Sequence, residues 1–159
     1  MTNRVQLLSS RLQILVIMGL VLLFDQGVKK YIQSNFSVGH SVDFIPNVFR
    51  LTLTYNKGAA FSLFKDYPQV LLIVTILIIL VFTLYCFNKK STSSIELMGY
   101  GLILGGACGN LIDRVILGKV VDYLDFVLIN YPIFNLADSF IFIGVILLIW
   151  HQLNSPVVD

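Results

Sequence analysis

Charged residues are scarce in this chain of 159 residues: only 13% are Asp, Glu, Lys or Arg, about half the fraction usual in a soluble domain. Hydrophobic residues make up 57% of the chain, and the mean hydropathy is +0.84. A soluble globule of this size has too little interior to hide so much apolar surface. The composition therefore predicts a polytopic membrane protein with little soluble mass attached.

Basic clusters and metal-ligand motifs are also missing from the sequence. The formal charge of +2 comes from 11 basic and 9 acidic residues without a basic block, so there is no electrostatic footprint for nucleic acid. Cys86, Cys108, His40 and His151 are widely separated and form no CxxC or similar spacing. We therefore expect no nucleic-acid partner, no metal and no cofactor.

Four apolar stretches are long enough to cross a bilayer, which takes about 20 helical residues. They run roughly from residue 12 to 32, 68 to 87, 96 to 116 and 134 to 153. Polar residues without a small-residue cleavage site follow the first stretch, so we expect it to be a retained span and not a signal peptide. The chain is predicted to be a single membrane-embedded domain over residues 1–159.

The third span is rich in glycine. Gly101, Gly105 and Gly109 recur every four residues, so one face of this helix is nearly bare backbone that another helix can approach closely.

The longer connections are predicted to be structured. Residues 49–55 alternate apolar and polar side chains, which predicts a β-strand in a small cradle on the membrane surface. The side chains expected on one side of it are Phe49, Leu51, Leu53 and Tyr55. Residues 117–133 are too short for a domain, and we expect a short amphipathic surface helix there. The predicted fold class is thus an all-α polytopic membrane protein with a small β-cradle and a short surface helix.

Acidic residues inside the spans indicate a candidate site, because a charge at mid-bilayer costs about 2.5–3.5 kcal/mol on insertion scales. In four antiparallel spans, the polar positions near the ends of spans one and three and the start of span four share one membrane face. These residues are Asp25, Asn110, Asp113, Arg114, Asn135 and Asp138. The loop segments 56–61 and 121–126 emerge at the same face.

Several of these residues also have a structural interpretation. Asp25 and Lys29 have the spacing of an ordinary i, i+4 helix pair at the water boundary, and Asp113 with Arg114 would form a structural ion pair. Residues 56–61 are compatible with a tight turn. Asp125 is interpreted as a solvated or capping residue.

Asp138 is harder to explain structurally, because residues 140–150 of its span contain no other ionisable group. The predicted partner is Asp122, which precedes Asn135 by thirteen residues and can fold back to the start of span four. Two carboxylates about 3 Å apart cannot both ionise, so such a pair holds one proton at neutral pH. It can then activate a water molecule and protonate a leaving nitrogen, as in an aspartic protease.

Five sequence blocks, in this order, resemble the lipoprotein signal peptidases of bacteria over about residues 20 to 148. The blocks are Asp25-Gln26 with Lys29, residues 55–61, residues 105–114, residues 118–126 and residues 134–139. The resemblance implies an aspartic membrane endopeptidase that removes the signal peptide from diacylglyceryl-modified prolipoproteins, cutting before the lipidated Cys. It implies that Asp122 and Asp138 are the catalytic pair.

The resemblance also implies roles for neighbouring residues and a cellular location. Substrate binding is expected for Asn56, Gly58, Asn110, Arg114, Asn135 and Ala137, and site support for Asp25, Lys29 and Asp113. The protein would be multi-pass in the bacterial cytoplasmic (inner) membrane, with both termini cytoplasmic and with the active site and cradle at the extracytoplasmic face. A literal count of basic residues, four against seven, points to the opposite orientation. We expect a monomer whose partners are the lipid-modified prolipoprotein and membrane lipids.

A small proton-coupled transporter is the alternative function, because intramembrane aspartates also mark ion pathways. A transporter needs polar residues through the whole depth of the bundle, whereas the end near Lys89 and the termini is apolar in sequence. A non-enzymatic scaffold that packs partner helices on the glycine-rich span would leave Asp122 and Asp138 without a function.

Overall fold

The computed structural model describes residues 2–58, 66–89, 93–129 and 131–155. Within these ranges it contains four long helices, α1 (Thr2–Asn35), α2 (Pro68–Asn88), α3 (Ser94–Leu117) and α4 (Leu136–Asn154). Each is long and apolar enough to cross a membrane. Four long apolar helices are therefore confirmed at the four predicted stretches, and α1 extends beyond the predicted stretch at both ends.

Helix α3 is the centre of the bundle and packs against the other three helices. Glycines permit this close packing: a Cβ added at Gly101 or Gly105 would lie 2.6 or 2.7 Å from the Cβ of Ile17 or Val21 on α1. On the side facing α4, a Cβ at Gly106 would meet a backbone carbonyl. The predicted close approach at the glycine-rich face is confirmed.

Both ends of α3 are capped, and its last turn directs the chain toward Asp122. Its first turn is capped by Ser93, whose side chain accepts a hydrogen bond from the Glu96 N–H. Its last turn ends at Gly118, which has φ of 68° and whose N–H donates to the Arg114 carbonyl. This left-handed turn leads directly into the third strand, so Asp122 lies close to the end of α3.

Three antiparallel strands form one sheet in the order β1 (Ser41–Ile45), β2 (Phe49–Asn56) and β3 (Val120–Phe126). Strand β2 confirms the predicted strand at 49–55. Leu53 is buried with Ile32 of α1 and with Val121 and Tyr123 of β3. Leu51 and Tyr55 pack against this same small core, as the alternation predicts. The sheet lies at the end of the bundle where α1 and α3 finish.

Residues 117–133 do not form the expected surface helix. Residues 120–126 of the segment form strand β3, which pairs with β2 from Phe126 opposite Phe49 to Val120 opposite Asn56. Among the described residues after the end of α3, the helical element in this segment is a single 3-10 turn over residues 127–129. Valine, tyrosine and phenylalanine favour strands, and β2 offers its backbone groups to pair with them. Asp122 is therefore placed on a strand, opposite Thr54.

Candidate active site

The first turn of α4 orients Asp138. The side-chain oxygen of Asn135 accepts a hydrogen bond from the Asp138 N–H at 3.0 Å, and Asp138 Oδ2 accepts one from the Asn135 N–H at 3.3 Å. This reciprocal capping box satisfies donors that a helix start leaves without partners. The Asp138 carboxylate is therefore turned toward the start of its own helix.

Asp122 approaches the same helix start from strand β3. Its Oδ1 accepts a hydrogen bond from Asn135 Nδ2 at 2.7 Å, and the Asp122 side chain is only 2% exposed. Asp122 and Asp138, below called the aspartate pair, line one cavity of about 370 Å³, below called the polar cavity. Asn56, Asn110 and Arg114 also line it. The structure thus brings together the two carboxylates that the sequence predicts to be partners.

The protonation of Asp122 is shifted by its surroundings. Burial, together with the negative charge of Asp138, raises the pKa of Asp122 to about 7 from an ordinary value of 3.8. The side-chain amides of Asn135 and Asn56 act in the opposite direction. Near neutral pH, the aspartate pair can therefore hold one proton between two carboxyl groups.

Asn110 connects the aspartate pair to a buried group of charges. Its Nδ2 donates to Asp138 Oδ1 at 2.7 Å, while its Oδ1 accepts from Asn135 Nδ2 at 3.1 Å and from Lys29 Nζ at 2.9 Å. Lys29 is 2% exposed. The predicted substrate-binding residue Asn110 therefore has its side-chain oxygen committed within the protein.

Lys29, Asp25 and Asp113 form what we call the Lys29 cluster. The ammonium lies 2.9 Å from a carboxylate oxygen of each aspartate, and all three side chains are buried. The expected i, i+4 pair of Asp25 and Lys29 is therefore present, but it is buried and does not lie at the water boundary. The two helices α1 and α3 pack closely enough here to enclose both residues.

The carboxylates of the Lys29 cluster also bind backbone. Asp25 Oδ1 accepts from the Ala137 N–H at 3.1 Å, and Asp113 Oδ2 accepts from the Val121 N–H at 3.1 Å. Ala137 directly precedes Asp138, and Val121 directly precedes Asp122. Each carboxylate of the cluster thus holds the backbone next to one member of the aspartate pair.

Arg114 does not form the ion pair expected with Asp113. Its guanidinium donates to the backbone carbonyls of Asn110 at 3.3 Å and Gly58 at 3.5 Å, while Asp113 is paired with Lys29. Adjacent residues on a helix point in directions about 100° apart, so the two side chains face different neighbours. Arg114 instead joins the site to the loop after β2.

The expected tight turn after β2 is present where the structure describes it. Asn56 Oδ1 accepts from the Gly58 N–H at 2.9 Å. Ala59, Ala60 and Phe61, the rest of this motif, lie outside the described residues.

Three predicted substrate-binding residues, Gly58, Asn135 and Ala137, are absent from the walls of the polar cavity. Asn135 and Ala137 are both 0% exposed. Asn135 acts through its hydrogen bonds to the aspartate pair, and Ala137 through its N–H to Asp25. Their direct contact with substrate stays a prediction.

Asp125 is not the solvated residue that we expected. It is 6% exposed and accepts hydrogen bonds from Arg50 Nε at 2.5 Å and from Thr52 Oγ1 at 3.1 Å. The strand register explains this, because β2 and β3 place Asp125 directly opposite Arg50. It is not among the residues that line the polar cavity.

A second buried polar group lies at the opposite end of the bundle, so that end is not apolar as the sequence indicated. Glu96 is 6% exposed, pairs with Lys89 and accepts from the Tyr100 hydroxyl at 2.6 Å; His151 lies 3.9 Å away. The sequence could have indicated this group, because Glu96 and Tyr100 lie four residues apart on an apolar helix and so on the same face. The buried α3 residues from Gly101 to Gly109 are apolar, so along α3 no buried polar side chain connects the two ends.

No group of three or more His, Cys, Asp or Glu side chains in the described ranges is placed to hold a metal ion.

The chain is similar to proteins of one family over most of its length. A family model described as signal peptidase (SPase) II matches residues 17–154. A lipoprotein signal peptidase of Microcystis aeruginosa is 45% identical over 138 residues, 86% of this chain and 87% of that protein. One of Halothermothrix orenii is 40% identical over 140 residues, 86% of this chain and 94% of that protein.

Two solved structures have the same fold. Both are described as a bacterial membrane enzyme determined by the in meso method, one at 2.3 Å and one at 1.9 Å resolution. Their TM-scores are 0.81 and 0.80, with 32% and 34% sequence identity. The matches cover 92% and 90% of this chain and 93% and 94% of the solved chains.

Proposed function

The chain belongs to the signal peptidase II family, and from this premise we propose that it is an intramembrane aspartic endopeptidase. It is a signal peptidase that removes signal peptides from prolipoproteins, which agrees with the name lipoprotein signal peptidase that its relatives carry. The proposed substrate is the diacylglyceryl-modified precursor, and the proposed cut lies directly before the lipidated Cys.

The meeting of Asp122 and Asp138 in one cavity is the observation that carries the mechanism. One member, ionised, takes a proton from a water molecule as the water attacks the carbonyl carbon of the scissile bond. The other member, protonated, gives its proton to the leaving nitrogen. A pKa of about 7 for Asp122 allows a carboxyl group to keep that proton under ordinary conditions.

The space around Asp138 supports a substrate with both a peptide and an acyl chain. The polar cavity is lined by Asn56 and Arg114 and also by apolar side chains of α4, Val145 among them. A second space of about 500 Å³, here called the apolar groove, also borders Asp138 and shares Phe142 with the polar cavity. Its other walls are mainly apolar. We assign the peptide to the polar cavity and an acyl chain to the apolar groove.

The proposed location follows from this substrate. A lipidated Cys is held at the membrane surface by its acyl chains, so the aspartate pair must lie at the leaflet where the precursor is anchored. We place the site at the extracytoplasmic face of the cytoplasmic membrane, with both termini cytoplasmic. The enzyme is proposed to act as a monomer, because the aspartate pair and its hydrogen-bond partners all come from one chain.

The decisive experiment incubates the purified protein with a prolipoprotein that has, or lacks, the diacylglyceryl group. We expect the lipidated precursor alone to lose a mass equal to its signal peptide, leaving the lipidated Cys at the new N-terminus. A strong chelator should leave the rate unchanged. Equal cleavage of both precursors would refute the lipid requirement, and no cleavage of either would refute the proposed function.

A further inference from the structure

The buried ammonium of Lys29 has no role in the reaction as proposed above. Its Nζ lies 2.9 Å from oxygen atoms of Asp25, Asp113 and Asn110. A protonated lysine can only donate hydrogen bonds. Three acceptors therefore surround this group, and one of them is the amide that binds Asp138.

Contact with Lys29 determines which way the Asn110 amide points. The oxygen and nitrogen of an asparagine amide exchange places when the group turns over, and only the neighbours decide between the two orientations. Because Lys29 Nζ is a donor, the atom facing it must be the oxygen. The Asn110 NH2 group is then directed at Asp138 Oδ1, 2.7 Å away.

Asn135 is held in a matching orientation by the helix itself. Its oxygen caps α4 at the Asp138 N–H, so its NH2 group points away, toward Asp122 Oδ1 and the Asn110 oxygen. The Asn110 oxygen therefore accepts from two donors, Lys29 and Asn135. If Asn110 turned over, its NH2 group would face both of these donors and its oxygen would face a carboxylate.

Both oxygens of Asp138 consequently face donors. Oδ1 receives the Asn110 NH2 group, and Oδ2 receives the backbone N–H of Asn135. Hydrogen bonds donated to a carboxylate favour its charged form. Asp122 also accepts from the side-chain amides of Asn135 and Asn56, but the guanidinium of Arg114 attracts Asp138 more strongly than Asp122. We propose that Lys29 is a positioning residue: by holding the Asn110 amide it keeps Asp138 as the ionised base and leaves the shared proton on Asp122. This inference rests on the proposed function and assigns roles within the same pair.

Other titratable groups near Asp138 must be considered in a test. Those that act on Asp138 directly are Asp122 and Tyr123 from β3, Arg114 from α3 and Lys29 from α1. Asp113 and Asp25 accept from the backbone beside the aspartate pair. Removing Lys29 alone would leave two buried carboxylates without their cation, which is costly for folding.

A charge-matched variant avoids this imbalance. Lys29→Met combined with Asp113→Asn removes one positive and one negative charge, so the net charge of the Lys29 cluster is unchanged. The wild type is the charge-matched reference. Asp113→Asn alone, which keeps Lys29 in contact with Asn110, shows how much of any change comes from losing Asp113. The substrate is the lipidated prolipoprotein, and kcat and KM are measured across pH for both variants and the wild type.

Relative to the wild type, we expect the double variant to lose roughly 10- to 100-fold in kcat, with KM within about twofold, and to lose more than Asp113→Asn alone. The acidic limb of the kcat profile should move up by about one pH unit, because Asp138 without its donor binds a proton more tightly. A purely structural role would change the amount of folded enzyme but not this limb.

Two results would overturn the inference. One is a folded double variant with the kcat and acidic limb of Asp113→Asn. The other is a double variant that fails to fold while Asp113→Asn folds, because Lys29 would then have a structural role only. Neither result depends on whether the proposed function is right, since that question is answered by cleavage in the wild type.

Discussion

Asn135 is the residue that joins the two halves of the site. Its oxygen caps α4 at Asp138, and its nitrogen donates to Asp122. A single buried amide thus determines where both carboxylates lie relative to each other. Asparagine is suited to this position because it supplies an acceptor and two donors in one rigid plane.

The aspartate pair is expected to act as one unit. Asp122→Asn and Asp138→Asn keep the size of the side chain but remove the carboxylate that handles the proton, so each should lower kcat by roughly 10²–10⁴-fold. The double variant should be scarcely slower than either single one, because removal of one member already disables the pair. Cleavage rates in detergent, with folding checked by thermal melting, test this.

Binding of the lipidated precursor should survive in all three variants, since Asn56, Asn110 and Arg114 remain. A correctly folded Asp122→Asn or Asp138→Asn protein that cleaves at close to the wild-type rate would show that the paired-aspartate mechanism is wrong.

Asp122 also makes stability depend on pH. Its pKa rises from an ordinary 3.8 to about 7 on folding, so between these values the folded protein binds a proton that the unfolded chain does not. Raising the pH through this window therefore lowers the stability of the wild type. Asp122→Asn lacks this group, and its advantage in Tm over the wild type should be larger at pH 8 than at pH 5. An equal difference at both pH values would contradict the raised pKa.

At the scale of elements, the contact between α3 and α4 controls the position of Asp138. A Cβ at Gly106 would lie 2.4 Å from the carbonyl oxygen of Ala137, which is backbone and cannot turn away. Gly106→Ala should therefore push the start of α4 outward, costing about 1–3 kcal/mol of stability and lowering kcat. Thermal melting and cleavage rates measure the two effects.

Gly19→Ala is the matched control for this prediction. Gly19 lies on a membrane-spanning helix, but a Cβ there would meet nothing within 4 Å. We expect its Tm and kcat to stay near the wild-type values. If Gly106→Ala melted at the same temperature as Gly19→Ala, the tight contact with Ala137 would not exist as described.

Within the sheet, Asp125 serves strand pairing and not catalysis. Asp125→Asn removes the charge that faces Arg50 but keeps an oxygen that can accept from Thr52. We expect a lower Tm together with a kcat close to that of the wild type, because Asp125 does not line the polar cavity. A large loss of kcat at unchanged Tm would instead place Asp125 in the reaction.

At the scale of the whole molecule, the two ends of the bundle are chemically different. One end contains the sheet and the aspartate pair, and the other contains Glu96 with Lys89 and His151. The bundle between these ends has an apolar core formed around Ile14, Leu97, Tyr100 and Leu104. The separation of the two ends agrees with an enzyme site at one surface and not with a transport pathway along α3.

The proposed orientation can be tested by labelling. Ser37 is exposed at the sheet end, and Asn154 is exposed at the end of α4. A membrane-impermeant maleimide should label Ser37→Cys in spheroplasts, and label Asn154→Cys only after the membrane is opened. The wild type, with Cys86 buried and Cys108 half-buried within spans, measures the background. The reverse pattern would agree with the literal count of basic residues and would refute the proposed orientation.

Features that depend on neighbouring residues were predictable from the sequence. The four spans follow from runs of apolar residues, β2 from alternation, and the tight helix contact from glycines four residues apart. The partnership of Asp122 with Asp138 was also predicted, because an apolar helix offers Asp138 no other ionisable neighbour. Each of these inferences uses a pattern within a short stretch of chain.

Only the tertiary structure decided which distant groups pair. Arg50 donates to Asp125, which lies 75 residues later in the sequence, and Asp25 accepts from the N–H of Ala137, 112 residues later. Because of such contacts, residues 120–126 form strand β3 where a surface helix was predicted, and Asp125 is buried. Lys29, which was expected at the water boundary, binds Asp113 and Asn110 in the interior. Hydrogen bonds between remote segments leave no periodic trace in a sequence, because their geometry exists only once the segments have packed.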